Sequence, residues 1–274
     1  MKKFLALLEV EFRSMVLVLV GIFGFLTVIS GWLFYSLATE LGHEIVDQLS
    51  SDFRAADFVN ETGGVTLIEI MNYNWRQFHY LLFMLALLLV IVIVGFSLWY
   101  KEWVGKSKRI YFLLSLKGTR FTIFLSKLVA MMSAVWIFYG MLLVNLFIGS
   151  QIAERVLPDG VLAANLVRGV LLSGHEIIAI VIPVSFSHFI LKTLLIATIF
   201  NALSCLVLMD RSKRIVGFIG GLLYCIALSG IFVYLQHLWL FHDERVLVNW
   251  GFALVANVLS LAISYFLINQ KVSI

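Results

Sequence analysis

The strongest cue for catalysis in this 274-residue chain is the run His175-Glu176-Ile177-Ile178-Ala179. A zinc hydrolase uses H-E-x-x-H, in which two histidines one helical turn apart hold the metal and the glutamate activates its water. Ala179 stands where the second histidine is required, and His188 lies thirteen residues from His175, so the constellation is broken. The residues read instead as a polar patch at an outer helix end, with no metal site. Ser185-Phe186-Ser187-His188 sets hydroxyls beside an imidazole in sequence only, because adjacent residues on a helix do not face each other. Asn145, Asn201 and Asn257 interrupt long apolar runs without carrying charge, and an interhelical hydrogen bond is their expected role. Cys205 and Cys225 also lie in apolar runs, where free thiols behave as small hydrophobes and define no disulfide framework.

Two engines are missing as well. G-x-x-x-x-G-K-[ST] occurs nowhere, so the chain has no P-loop with which to hydrolyse ATP. The apolar runs hold no array of Asp, Glu, His and Lys of the kind that couples transport to protons or sodium. The chain is therefore expected not to be an enzyme, and a transporter built from it must borrow its engine from a partner.

The residues around these cues belong to a membrane. The hydrophobic fraction is 62%, only 13% of residues are charged, and mean hydropathy is +1.01. Soluble domains carry about 45–50% apolar and about 25% charged residues. At roughly 20 apolar residues per crossing, the expected architecture is all-α and polytopic: one permease domain over 1–274 with six spans. These fall near Met15–Ala38, Tyr80–Tyr100, Phe121–Ser150, Phe189–Met209, Ile215–Trp239 and Val246–Asn269. Before the first span Lys2, Glu9 and Arg13 project to one side and Phe4, Leu5, Leu8, Phe12 and Met15 to the other, which predicts a separate interfacial helix over 1–14. Glu9, Glu11 and Arg13 break the apolar run too early for a cleavable leader, so this segment is read as retained. Segments 39–79 and 151–188 are the two extracytoplasmic ones. The first is acidic, with room for a helix or a hairpin at Gly63-Gly64. The second is too interrupted to cross, and its helices are expected to be re-entrant or interfacial. Gly217 and Gly221 form a G-x-x-x-G pair that permits close helix approach, either within the chain or between chains.

Charge orients this layout. With six spans and both termini inside, fourteen of the twenty Lys and Arg residues are cytoplasmic and six lie outside, in keeping with the positive-inside bias. A seventh span over 160–188 would place Asp210-Arg211-Ser212-Lys213-Arg214 outside, against that bias. Basic residues so dispersed between apolar runs record orientation and do not predict nucleic-acid binding.

Seven basic residues gather between the second and third spans, in Trp99 to Lys127: Lys101, Lys106, Lys108, Arg109, Lys117, Arg120 and Lys127. Lys127 is expected to snorkel from the interfacial start of the third span. The pattern Tyr100-Lys101-Glu102-Trp103, Gly105-Lys106, Leu113-Leu114-Ser115-Leu116, Thr119-Arg120 and Ser126-Lys127, set in this layout, resembles the permease subunit of an ABC-2 type ABC exporter. That family's connection often reads E, G, LL-x-LP-x-x-R, K. Lys117-Gly118 stands where the proline would be, and glycine also ends helices. The resemblance implies a cytoplasmic coupling helix within 101–120 that docks on a separate ABC ATPase, with Glu102, Trp103, Lys106, Lys108, Arg109, Leu113, Leu114 and Arg120 as its contacts. It implies a second permease copy or paralogue, no cofactor in this chain, ATP and Mg on the partner, and a bacterial cell-membrane location in contact with the lipid bilayer. A different class also fits: a membrane sensor or immunity protein that binds a peptide or antibiotic through the outer segments. A third, an intramembrane metalloprotease, would need metal at His175.

Overall fold

The computed structural model describes residues 2–49, 64–72, 85–86, 88–96, 121–158, 160–163, 166–172, 185–213, 215–238 and 241–271. Its helices are α1 (Lys2–Leu49), α2 (Leu67–Asn72), α3 (Phe121–Val156), α4 (Leu166–Leu172), α5 (Phe186–Lys213), α6 (Ile215–Gln236) and α7 (His242–Phe266), the last continued by a π-helical turn, Leu267–Lys271. Residues 85–86 and 88–96 are also helical. Among the described residues there is no strand, only an isolated bridge between Val65 and Leu162. Five helices are long and apolar enough to cross a membrane: Phe4–Asp47, Phe121–Val156, Phe186–Ser212, Ile215–Gln236 and Asp243–Asn269. Large apolar side chains on them face outward, among them Leu17, Val28, Ile215, Leu223 and Val258. Exposed apolar side chains in such number on helices this long fit surroundings of hydrocarbon. The chain is thus an all-helical, multi-pass membrane protein, and five of the six expected spans have a matching helix. Of the second expected span, Tyr80–Tyr100, only residues 85–86 and 88–96 are described.

Residues 2–14, expected as a distinct helix, run into the first span without a break, and α1 continues past Ala38 to Leu49. At about 1.5 Å per residue its 48 residues reach about 72 Å, more than twice a hydrocarbon core of about 30 Å. The polar residues that suggested boundaries are absorbed by the helix itself. Ser14 Oγ donates to the Glu11 carbonyl at 2.7 Å, and Thr39 Oγ1 to the Tyr35 carbonyl at 2.7 Å. Polarity there marks a change of surroundings, and no glycine or proline stops the helix.

Contacts divide the chain into two units, one of Met1–Met15, Val90–Val135 and Ser187–Ile274, the other of Val16–Leu89 and Trp136–Phe186. In the second, α1 and α3 run parallel: Phe34 covers Gly149, where an added Cβ would meet its ring at 2.7 Å, and Leu157 lies over Gly42. Segments 39–79 and 151–188 also meet in this unit. Val65 N donates to Val161 O at 2.9 Å, Ala163 N to Val65 O at 3.0 Å, and α2 packs on α4. Val65 therefore pairs with segment 151–188, and Gly63, with the residues before it where a helix or hairpin had room, lies outside the described residues. Gly64 makes this parallel contact possible, with φ +83 and no room for a Cβ against Ala163. Thr66 and Glu69 then start α2 by a reciprocal capping box, Thr66 N to Glu69 Oε2 at 2.7 Å and Glu69 N to Thr66 Oγ1 at 3.3 Å. α4 covers Leu166–Leu172, and residues 173–184 after it, where the re-entrant or interfacial helices were expected, lie outside the described residues.

In the first unit α5 and α6 are antiparallel. Gly217 lies directly against the Met209 carbonyl, and a Cβ on Gly221 would sit 2.8 Å from Leu206 Cα. The G-x-x-x-G pair is thus spent inside the chain, whereas Gly220 faces open space. Replacing Gly221 with Val is expected to lower the melting temperature in detergent by about 2–10 °C through overpacking. Gly220→Val, with the same change in helix propensity, should shift it far less.

Candidate coupling site

The eight residues expected to contact an ATPase, Glu102, Trp103, Lys106, Lys108, Arg109, Leu113, Leu114 and Arg120, lie outside the described residues. What the structure does describe is where both ends of their segment are held. Phe96, before it, and Phe121, after it, pack on one buried cluster of Leu7, Ile123, Phe124, Val207, Leu208, Leu267 and Ile268. Phe121 stacks on Phe124 with ring centroids 5.4 Å apart and meets Tyr265 edge-on at 5.4 Å. Gly95 lies against the Met131 side chain, so the arriving helix approaches α3 closely. The beginnings of α1 and α3 and the ends of α5 and α7 therefore share one core.

A charged contact lies one turn deeper. Lys127 Nζ donates to Glu11 Oε1 at 2.7 Å, with side-chain exposures of only 5% and 11%. Lys127 was expected at the interface with its ammonium reaching water; it is instead enclosed and paired across 116 residues of chain. The reason is the orientation of α1. Its buried positions are Leu7, Glu11 and Met15, spaced by one turn, while Leu5 is exposed. The packed face is rotated toward Glu11 from the purely apolar face that the pattern suggested, because an ion pair compensates a carboxylate there. Glu9 and Arg13 face outward as expected.

The second polar system joins α5 to α7. Asn201 Nδ2 donates to Asn257 Oδ1 at 2.7 Å. Asn257 Nδ2 is shared among Leu194 O at 2.9 Å, Thr198 Oγ1 at 2.8 Å and Ala253 O at 2.8 Å. Further along, Cys205 Sγ lies 3.2 Å from both Ser260 O and Ser264 Oγ, and the Tyr224 and Ser260 hydroxyls are 2.6 Å apart. Residues 194, 198, 201 and 205 repeat at i, i+4, i+7 and i+11, and 253, 257, 260 and 264 do the same, so each helix presents a polar seam to the other. Asn201 and Asn257 thus take the interhelical role expected of them. Asn145 does not: its Nδ2 returns to the Met141 carbonyl of its own helix at 2.9 Å. Beside the seam, α5, α6 and α7 enclose a cleft of ≈ 290 Å³ whose walls are apolar apart from Thr198, Cys225 and Ser229.

His175, Glu176 and Ala179 lie outside the described residues, and among those described no three His, Cys, Asp or Glu side chains gather as a metal site would require. No family model matches this chain, and neither a curated protein nor a solved structure matches it.

Because one half of a buried pair cannot be removed without stranding the other charge, Glu11→Gln or Lys127→Met alone is expected to cost about 3–5 kcal/mol. The exchange Glu11→Lys with Lys127→Glu should recover most of that loss, and Glu11→Leu with Lys127→Met should fold about as stably as the native chain. Thermal unfolding of all variants in one detergent tests this. A charge exchange as damaging as the single changes would show that side-chain shape, not the ion pair, holds the contact.

Proposed function

We propose that the chain is the permease subunit of an ABC-2 type exporter, with six spans, both termini in the cytoplasm and the 101–120 segment as its coupling element. The observation that carries this reading is the shared core at the ends of that segment. A coupling element must deliver force to the spans, and one whose flanks, Phe96 and Phe121, rest on the same cluster as Leu7, Leu208 and Ile268 can move several helices together. The same cluster supports six crossings. The beginnings of α1 and α3 lie with the ends of α5 and α7, which requires an even number of crossings between the start of α3 and the end of α5. That holds when 151–188 does not cross, and it brings Arg211, Lys213 and Lys271 to the end where the basic segment lies, as a cytoplasmic side demands.

In this reading the ATPase subunits bind ATP and Mg, the permease contributes no catalytic residue, and a second permease copy or paralogue completes the path. Leu113 and Leu114 anchor the coupling helix while Glu102, Lys106, Lys108 and Arg109 set its orientation. The second reading, a sensor or immunity protein, draws support from a different observation: the contact from Val65 to Val161 and Ala163 joins both outer segments into one structured element, as a peptide-binding surface would need.

Co-expression with an ABC ATPase encoded beside this chain separates the two. A stable complex with permease-stimulated ATP hydrolysis is expected, and neither complex nor stimulation would end the exporter reading. Reversing Lys106, Lys108 and Arg109 to Glu should weaken ATPase capture at least about tenfold, since charged rims set association, with no change in melting temperature. Lys127→Glu should instead lower the melting temperature. Peptide binding that is lost on deleting an outer segment and needs no ATPase would favour the sensor.

A further inference from the structure

Two buried polar atoms in the α1–α3 pair have no hydrogen-bond partner: Ser30 Oγ and Asn145 Oδ1. Each residue is only 1% exposed. The helices run parallel here, and Phe34 lies directly on Gly149. Ser30 is four residues before Phe34 and Asn145 four before Gly149, so the two stand one helical turn back from the same contact, on the same side of each helix. Both also continue buried stripes, Leu26, Ser30 and Phe34 on α1 and Leu142, Asn145 and Gly149 on α3. The two orphaned atoms thus fall at matched positions in one interface, yet no direct hydrogen bond joins them.

Ser30 is unusual among its neighbours. Thr27, Ser133 and Ser150 each donate to a carbonyl of the preceding turn, at 2.9, 2.9 and 2.8 Å, which is how a lone hydroxyl satisfies itself inside a membrane helix. Ser30 makes no such bond. The Asn145 amide has used its nitrogen on Met141 and keeps its oxygen free. A buried acceptor and a buried hydroxyl left open in hydrocarbon are each expensive, and an enclosed solvent molecule is the usual remedy.

We infer that a single water molecule is bound in this interface, accepting from the Ser30 hydroxyl and donating to Asn145 Oδ1, with its second hydrogen directed at a helix carbonyl that has a spare lone pair. Two neutral side-chain oxygens are too few for a hard cation, which needs about six oxygens, and suit a water, which needs two to four polar partners. The water would be a structural ligand of the chain, set between two spanning helices.

The test has two parts, both on the full chain in lipid nanodiscs. A structure at a resolution that shows ordered solvent should contain density within hydrogen-bonding distance of both Ser30 Oγ and Asn145 Oδ1. Melting temperatures of Ser30→Ala, Asn145→Leu and the double variant should be strongly non-additive. Each single change strands the water or the remaining polar group and lowers the melting temperature by about 2–4 °C or more, while the double variant, with a dry apolar contact, is no worse than the poorer single. A dry interface in the native structure, a direct Ser30–Asn145 hydrogen bond, or additive shifts would each overturn the inference. The density keeps it testable even if a variant fails to fold.

Discussion

The register of α1 against α3 in the first unit is set by one ion pair. Glu11 and Lys127 face each other at 2.7 Å beneath a layer of apolar side chains, where removing two charges from water costs several kcal/mol per ion. Their attraction offsets that cost only in good geometry. The pair is therefore a weak source of stability and a strong source of register. Apolar stripes on two parallel helices repeat every turn, so a slip by one turn would still match leucine to phenylalanine. It would not match a carboxylate to an ammonium.

Register needs such a device because lipid supplies little drive for one apolar helix to choose another. Between spans, association rests on van der Waals fit and hydrogen bonds, and small residues that let backbones approach are the common means. This chain uses both. Gly149 receives Phe34, and Gly217 and Gly221 receive the backbone of α5. Where no glycine permits that approach, the Asn201–Asn257 contact and the Cys205–Ser264 contact stitch α5 to α7. Glycine contacts set how near two helices lie. The polar contacts set which residue stands opposite which.

The elements legible in the sequence were those written in local composition. Apolar runs and turn residues marked α3, α5, α6 and α7, whereas the expectation that 151–188 does not cross falls largely on 173–184, outside the described residues. The T-x-x-E signal at Thr66 and Glu69 is a local cue that marks the start of α2, in a segment whose composition shows only room for a helix or a hairpin. Other features were illegible for a physical reason. Glu11 pairs with a residue 116 positions away, and nothing near it distinguishes a buried carboxylate from one facing water. The expected end of the first span near Ala38 is not the end of α1, because the polar residues after it change what surrounds a helix without stopping it. The G-x-x-x-G pair shows the same limit: its spacing announces close approach, and only the fold says that α5 is what approaches.

These contacts bear on how the proposed coupling would work. A segment pressed by an ATPase can move spans only if the structure between them is stiff. Apolar side chains alone shift by changing rotamers, so a push at Phe121 could be lost within the cluster it stacks on. The ion pair one turn deeper prevents that loss, because displacing Lys127 along its helix either takes Glu11 with it or exposes an unpaired charge to hydrocarbon. α1 is a continuous helix of 48 residues, with no glycine or proline near Glu11 at which it could bend. Displacement of Glu11 then carries with it the stretch of α1 that packs in the first unit, Leu7 to Met15. Under the proposed reading, the continuity of α1 through residues 2–15 thus leaves no break beside the ion pair at which the push would be lost.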